Sequence, residues 1–121
     1  MKTIRIYTDG GCSGNPGPGA WAYILIGPGA ESSKAGFVPE TTNNRMELQA
    51  VIEALQAAAR ETEPGAAEIE VYTDSQYVKN GISDWIHNWI RNGWKTRSKK
   101  PVKNQDLWRQ LLELSSRSQV H

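Results

Sequence analysis

Two stretches of this chain share almost the same pattern, and they constrain the fold more than any other feature. Residues 3–9 read Thr-Ile-Arg-Ile-Tyr-Thr-Asp, and residues 69–75 read Ile-Glu-Val-Tyr-Thr-Asp-Ser. The alternation of residue types in both is the period of a β-strand. In open α/β sheets, ligands bind at the carboxyl ends of the strands. We therefore predict two neighbouring strands that end at Asp9 and Asp74 and bring these carboxylates to one place.

Composition indicates an ordinary soluble protein. The chain has 121 residues, 38% of them hydrophobic and 22% charged, which is enough for one domain with a single core. No stretch approaches the roughly 18 apolar residues of a membrane span, and the first residues lack the apolar region of a signal peptide. The single cysteine, Cys12, excludes an internal disulfide, and the two histidines are too few for a structural zinc site. We expect a cytoplasmic protein without membrane contact.

The net charge of +1 conceals two regions of opposite charge. Residues 1–78 carry five Lys/Arg and ten Asp/Glu, whereas residues 79–121 carry nine and three, together with four of the five tryptophans. An acidic centre beside a basic region rich in aromatic residues suits a cation-dependent enzyme that acts on nucleic acid. A solvated charged surface without any binding role would give the same charge imbalance. Such a surface is the more common cause of a charge imbalance.

The predicted order of elements is three strands, a helix, a strand and three helices. The glycine-rich run from Gly10 is read as a turn, and short Gly/Pro links to strands at 20–26 and around 34–38 indicate an antiparallel meander. A helix to about residue 60 carries an apolar stripe: Leu48, Val51, Ile52, Leu55 and Ala59. After a strand at 68–73, we expect a short helix stopped by Gly81, a Trp-rich helix, a basic loop at 94–103 and a helix capped by Asn104. This order predicts a mixed α/β fold with a parallel strand pair.

Three acidic residues lie at the predicted ends of elements: Asp9, Glu47 and Asp74. Converging carboxylates repel one another, so a cluster of them requires a cation or a proton. Hard ions such as Mg²⁺ prefer oxygen ligands, and two of them about 3.5–4 Å apart can activate a water and stabilise the leaving oxygen of a phosphodiester. Each residue also has a structural alternative: Asp9 as a turn residue, Glu47 in a capping box with Asn44, and Asp74 as a helix N-cap.

Longer motifs around the three acids resemble type 1 ribonuclease H. Asp9 lies in Tyr-Thr-Asp-Gly-Gly-Cys-Ser-Gly-Asn-Pro-Gly-Pro-Gly, which is similar to the opening strand of that family. Glu47 lies in Thr-Thr-Asn-Asn-Arg-Met-Glu-Leu, similar to its first helix, and Asp74 in Tyr-Thr-Asp-Ser-Gln-Tyr-Val, similar to its fourth strand. The stretch from Gly81 to Trp108 resembles the bacterial branch, so the resemblance covers nearly the whole chain.

The resemblance implies the ribonuclease H fold: a five-stranded mixed sheet with its first three strands antiparallel, flanked by helices, and a basic protrusion at 82–103. It implies one domain over 1–121 and a metal-dependent endonuclease that hydrolyses the RNA strand of RNA–DNA hybrids by a two-metal-ion mechanism, leaving 5′-phosphate and 3′-hydroxyl ends. Asp9, Glu47 and Asp74 match the catalytic, metal-binding carboxylates. The expected cofactor is a pair of Mg²⁺ ions, with Mn²⁺ as an alternative, and the expected state is a monomer that binds the hybrid.

The resemblance also implies residues that contact the substrate. They comprise polar residues for the minor groove, where the 2′-hydroxyl distinguishes RNA from DNA, residues around a DNA phosphate, aromatic residues of a DNA-strand channel, and lysines. The set is Cys12, Asn15, Thr42, Asn43, Asn44, Gln76, Tyr77, Trp89, Lys95, Lys99, Lys100 and Asn104. Considered without the resemblance, Asn43 and Asn44 are more often helix caps, and Trp85 is expected in the core with Trp89 partly exposed.

Members of that family continue beyond Val120-His121 through the rest of a fifth strand, a loop bearing a histidine, and a last helix with a fourth carboxylate. We therefore expect a domain that is incomplete at its C-terminus and lacks its last helix. An alternative function follows from this expectation. Without the fourth carboxylate, the chain would be a catalytically incomplete fragment that binds the hybrid.

Overall fold

A mixed sheet flanked by helices forms the structure. The computed structural model describes residues 2–61, 67–96, 98–115 and 118–120. The strands are β1 (Lys2–Cys12), β2 (Gly17–Gly27), β3 (Ala30–Thr41), β4 (Ala67–Tyr72) and β5 (Ser118–Val120). The helices are α1 (Asn43–Glu61), α2 (Gln76–Asn80), α3 (Ile86–Arg91) and α4 (Gln105–Ser115), and a π-helical turn (Gly81–Trp85) joins α2 to α3.

The strand order in the sheet is β3-β2-β1-β4-β5. The first three strands pair antiparallel, β4 pairs parallel with β1, and β5 pairs parallel with β4. The predicted mixed α/β fold and its antiparallel meander are therefore confirmed. The first three strands have 11 or 12 residues and β4 has six, whereas β5 contains only three residues among those described.

The two similar stretches are neighbouring parallel strands, as predicted. Their pairing runs from Lys2 opposite Ala67 to Tyr7 opposite Tyr72. Asp9 and Asp74 each follow two residues after this last pair. The prediction that β1 ends at Asp9 was wrong, because the strand continues to Cys12 by pairing with β2. Strand β2 pairs with the backbone of Gly10, Gly11 and Cys12. This pairing outweighs the local preference of the two glycines for a turn.

Helix α1 packs its apolar stripe against one face of the sheet. The sheet contributes Ile4, Ile6, Leu25 and Val71 to this core, and α1 contributes Leu48, Val51, Ile52, Leu55 and Ala58. Ala59, which we expected in the stripe, is exposed. In the described part of the chain, no helix has the length and apolar character needed to cross a membrane.

The helix expected to stop at Gly81 continues through it. Gly81 has helical dihedral angles, φ −62° and ψ −46°, and a Cβ at this position would collide with the ring of Trp108. Glycine is therefore needed for close packing rather than for ending a helix. Trp108 is fully buried, whereas Trp85 is 37% exposed and was wrongly expected in the core. Trp89 is partly buried against the core, as expected.

Candidate active site

Asp9 and Asp74 line one cavity beyond the last pair of the parallel strands. The cavity has a volume of about 430 Å³ and is also lined by Tyr7, Thr8, Tyr72, Thr73 and Lys79. The rings of Tyr7 and Tyr72 stack with their centroids 5.1 Å apart. Both aspartates are exposed. The register of β1 and β4 thus brings the two carboxylates to the same opening.

Glu47 contacts both β1 and the residue that follows β4. Its Oε1 accepts a hydrogen bond from the Gly10 N–H at 3.1 Å, next to Asp9. Its Oε2 accepts one from the hydroxyl of Thr73 at 3.4 Å, next to Asp74. The carboxylate of Glu47 is therefore directed towards the sheet. These contacts differ from the capping box with Asn44 that was the structural alternative.

The remaining structural alternatives also fail. Asp9 lies inside β1, where it pairs with Ala22, so it is not a turn residue. The N-cap of α2 is Ser75, whose hydroxyl accepts the Val78 N–H at 3.1 Å, so Asp74 does not cap the helix.

Burial and neighbouring charges act on Glu47 together. Its pKa is raised above the usual value, chiefly because partial burial disfavours the charged form, and the charges of Asp9 and Asp74 raise it further. The hydrogen bonds from Gly10 and Thr73 oppose this shift. Over the described ranges, no group of three or more His, Cys, Asp and Glu side chains is arranged to hold a metal ion. Asp9, Glu47 and Asp74 each offer only carboxylate oxygens, the kind of ligand atom that a hard cation prefers.

Replacing Glu47 by Gln is expected to stabilise the metal-free protein at pH 7, by roughly 0.2–1 kcal/mol as for partly exposed charges. A raised pKa means that the folded state binds the Glu47 proton more tightly than the unfolded chain does. The ionised carboxylate therefore reduces stability as pH rises, and below about pH 4 the gain from Gln disappears. Urea unfolding at pH 7 and pH 3.5 measures this, with Glu53→Gln on the same helix as control. An equal gain at both pH values would contradict it.

Hydrogen bonds link three of the residues predicted to bind substrate, Cys12, Asn15 and Asn43, where the end of β1 meets the start of α1. The side-chain oxygen of Asn43 accepts the Cys12 N–H at 2.7 Å, and that of Asn15 accepts the Asn43 N–H at 3.0 Å. The Thr42 hydroxyl accepts the Arg45 N–H at 3.3 Å and so caps α1. Thr42, and not the asparagines that follow it, is the residue with the capping contact. Asn44 and Gln76 are exposed at the starts of α1 and α2.

Tyr77 and Asn104 meet between α2 and α4. The hydroxyl of Tyr77 accepts hydrogen bonds from the Asn104 side-chain nitrogen at 3.1 Å and from Trp108 Nε1 at 2.9 Å. The side-chain oxygen of Asn104 accepts one from Arg45 at 3.1 Å. The predicted side-chain cap of α4 by Asn104 was therefore wrong. Its backbone carbonyl accepts the N–H groups of Leu107 and Trp108 instead.

Trp89 and Lys95 lie in another part of the structure. They line a cavity of about 460 Å³ together with Trp85, Asn88, Asn92 and Thr96. Lys99 and Lys100 are exposed on the following loop and are not among the lining residues. The predicted substrate-binding residues thus fall into separate groups: at the end of β1 and the starts of α1 and α2, at Tyr77 and Asn104, and from Trp89 along the basic loop.

Three residues of the site were missing from the predicted set: Gly10, Thr73 and Lys79. Gly10 and Thr73 hold Glu47, and Lys79 lines the cavity of the two aspartates. The repeated Tyr-Thr-Asp pattern could have indicated Thr73, because it places a hydroxyl before each aspartate. No comparable signal in the sequence indicates Lys79.

Comparison with known proteins identifies the family. Residues 1–121 match the RNase H family. A protein named Ribonuclease H from Rhodopseudomonas palustris (strain TIE-1) is 59% identical over 111 residues, which cover 92% of this chain and 68% of that protein. The crystal structure of LC9-RNase H1, a type 1 RNase H with the type 2 active-site motif, is similar with a TM-score of 0.80 and 30% identity. The similarity covers 100% of this chain and 61% of that one, so this chain spans less than two thirds of it.

A further solved structure supports the fold. LC11-RNase H1, crystallised in complex with an RNA/DNA hybrid, has a TM-score of 0.73 at 23% identity and is similar over 98% of this chain and 83% of that one. At this identity the likeness concerns the fold alone. The match to the family over the whole chain shows membership by itself. This chain belongs to the RNase H family.

Proposed function

We propose that this chain is an endonuclease that hydrolyses the RNA strand of RNA–DNA hybrids by a two-metal-ion mechanism, leaving 5′-phosphate and 3′-hydroxyl ends. Family membership indicates hybrid ribonuclease activity. The observation that carries the proposal is the position of Glu47, which is hydrogen-bonded beside Asp9 in β1 and beside Asp74 just after β4. We assign the catalytic and metal-binding roles to these three residues.

The donor set fits a hard divalent cation. Asp9, Glu47 and Asp74 would hold it through oxygen, and the negative charges of Asp9 and Asp74 both act on Glu47. Mg²⁺ needs only one or two carboxylates, because it keeps water and takes substrate phosphate at its other positions. Bound in a pair, such ions activate the attacking water and stabilise the leaving oxygen. We propose Mg²⁺, with Mn²⁺ as the alternative.

The protein itself orients the carboxylates and selects the substrate. The Gly10 N–H and the Thr73 hydroxyl fix the direction of Glu47 before substrate binds. Because the side-chain oxygen of Asn43 already accepts the Cys12 N–H, the side-chain NH₂ of Asn43 is the group that we assign to a 2′-hydroxyl in the minor groove.

The proposed partner is the RNA–DNA hybrid. LC11-RNase H1, which has the same fold, was solved with an RNA/DNA hybrid. The exposed lysines of the basic loop, Lys95, Lys99 and Lys100, would neutralise phosphates, which makes binding sensitive to salt. We also propose a monomer in the cytoplasm; the free thiol of Cys12 suits a reducing compartment.

The choice of substrate and the product ends test the proposal together. In Mg²⁺, we expect cleavage of the RNA strand of a hybrid and no cleavage of the same sequence as duplex RNA or duplex DNA. The RNA fragments are expected to carry 5′-phosphates and extendable 3′-hydroxyls, because water is the nucleophile. Fragments ending in 2′,3′-cyclic phosphate would show attack by the 2′-hydroxyl, and equal cleavage of duplex RNA would show that the hybrid is not selected. Either result contradicts the proposal.

A further inference from the structure

Lys79 is a positively charged residue that lines the cavity of Asp9 and Asp74. It lies in α2, whose N-cap Ser75 directly follows Asp74. The Lys79 N–H donates to the Ser75 carbonyl at 3.1 Å, so a single helical turn fixes the lysine relative to this aspartate. The residue is half-buried. One opening of about 430 Å³ therefore holds a lysine together with two carboxylates.

The Lys79 ammonium has no hydrogen bond or ion pair within the part of the chain that the structure describes. The ion pairs found there join Arg5 to Glu70 and Arg45 to Asp106. Neither pair includes Lys79 or an aspartate of the cavity. The charge of Lys79 is therefore not compensated by a direct partner and acts on whatever else occupies the cavity.

The end of a helix does not explain the position of Lys79. A lysine in the last turn of a helix usually stabilises the helix end, and Lys79 occupies the last turn of α2. However, Gly81 has helical dihedral angles, and its N–H donates to the carbonyls of Tyr77 and Val78. The π-helical turn then continues to Trp85. The carbonyls that a terminal lysine would stabilise are thus bonded within the continuing helical backbone.

A divalent cation at the carboxylates would share the cavity with this ammonium. Like charges repel, and a unit charge repels a divalent ion twice as strongly as a monovalent one. The stacked rings of Tyr7 and Tyr72 line the same cavity and exclude part of the water that would screen this repulsion. Lys79 therefore opposes the binding of a cation that Asp9 and Asp74 attract.

We propose that Lys79 lowers the affinity of the free protein for divalent cations and so sets the metal concentration at which the carboxylate site fills. Lys79 is not a metal ligand in this inference, because it acts on the bound ion only through its charge. The inference rests on the proposed function, since it concerns the metal site assigned to Asp9, Glu47 and Asp74.

Two other roles for Lys79 make different predictions. If its ammonium bound a phosphate of the hybrid and did not act on the metal, loss of the charge would weaken hybrid binding in chelator and leave metal affinity unchanged. If the side chain served only packing, its loss would lower the unfolding temperature of the metal-free protein and again leave metal affinity unchanged. Charge repulsion alone predicts that removal of the lysine strengthens metal binding.

The experiment measures the unfolding temperature as a function of Mg²⁺ concentration, without hybrid, for wild type, Lys79→Gln, Lys79→Met, Lys79→Arg and Asp9→Asn. An ion that binds only the folded state raises this temperature, and the concentration dependence gives its dissociation constant. We expect the Gln and Met variants to bind Mg²⁺ about 3- to 10-fold more tightly, the range for a unit charge near the surface acting on a divalent ion. Lys79→Arg keeps the charge and should bind within about twofold of wild type.

Lys34→Gln is the matched control for the loss of one positive charge. Lys34 is exposed on β3 and is not among the residues that line the cavity, so its loss should change Mg²⁺ affinity by less than about twofold. Salt provides a second control. Raising the ionic strength from about 0.1 M to 1 M shortens the Debye length from about 10 Å to 3 Å. The difference between Lys79→Gln and wild type should then shrink, and a difference that persists would overturn the inference.

The outcomes separate this inference from the proposed function. Mg²⁺ affinity equal to or weaker than that of wild type in folded Lys79→Gln and Lys79→Met would overturn the inference alone. An equal gain in Lys34→Gln would do the same, because net charge and not the position of Lys79 would be the cause. If Mg²⁺ does not stabilise wild type, or stabilises Asp9→Asn equally, the carboxylates are not a metal site, and the proposed function is contradicted as well.

Discussion

Asp9→Asn is expected to reduce cleavage of an RNA–DNA hybrid by at least about 10³-fold, because several kcal/mol of charge stabilisation are lost with the carboxylate. Asn has nearly the same size and keeps an oxygen that can accept the Gly10 N–H, as Asp9 does at 3.0 Å. The aspartate is exposed at its cavity, so the fold does not depend on its charge. Cleavage rates and thermal unfolding of the same preparations measure both effects.

Asp84→Asn is the matched control for Asp9→Asn. Asp84 is an exposed aspartate in the π-helical turn and is not among the residues that line the cavity of Asp9 and Asp74. It should leave both the cleavage rate and the unfolding temperature close to those of wild type. Substantial cleavage by a folded Asp9→Asn variant would remove Asp9 from the catalytic set and with it the proposed metal site.

Gly10→Ala is expected to destabilise the protein by roughly 1–3 kcal/mol or more, the effect of forcing extra atoms into a packed site. A Cβ at Gly10 would lie 2.6 Å from the backbone nitrogen of Glu47 and would also collide with the backbone of Met46. Backbone atoms cannot move aside as a flexible side chain does, so β1 and α1 must separate. Glu47 would then lose its contact with the Gly10 N–H, and cleavage should fall together with stability.

The next residue provides the control for Gly10→Ala. A Cβ at Gly11 would meet only the side-chain oxygen of Asn43, at 3.8 Å, an ordinary contact distance. Gly11→Ala should therefore destabilise far less in urea unfolding. Equal stability and equal cleavage rates in the two variants would show that the close approach of β1 and α1 at Gly10 does not position Glu47.

The sequence predicted those parts of the fold that local patterns determine. β1, β4 and α1 each bury one face against the core. The spacing of their apolar residues was therefore sufficient to predict these elements. The glycines at 10 and 11 and at 81 were misread because their local preference for turns and helix ends is overridden by distant partners. Pairing with β2 extends the strand at the first two, and the ring of Trp108 needs the space at Gly81.

The sequence pointed to the three acids of the candidate site but not to the groups that contact them. The motifs around Asp9, Glu47 and Asp74 indicated which acids to consider. The groups that hold Glu47 lie 37 and 26 residues away in the chain, and Arg45 contacts Asp106 across 61 residues. Contacts of this kind depend on how α1 packs against the sheet and against α4. The spacing of residues in the sequence does not predict this packing. Trp85 was misplaced for the same reason, since Trp108 takes the core position.

The most direct test of the central claim is cleavage of a labelled RNA–DNA hybrid by this 121-residue chain, in Mg²⁺ and in excess chelator. We predict cleavage of the RNA strand in Mg²⁺ and none in chelator, because Asp9, Glu47 and Asp74 supply the metal ligands. Salt-sensitive binding of the hybrid without cleavage in Mg²⁺ or Mn²⁺ would contradict this prediction. It would identify the chain as a hybrid-binding module whose carboxylates are insufficient for catalysis.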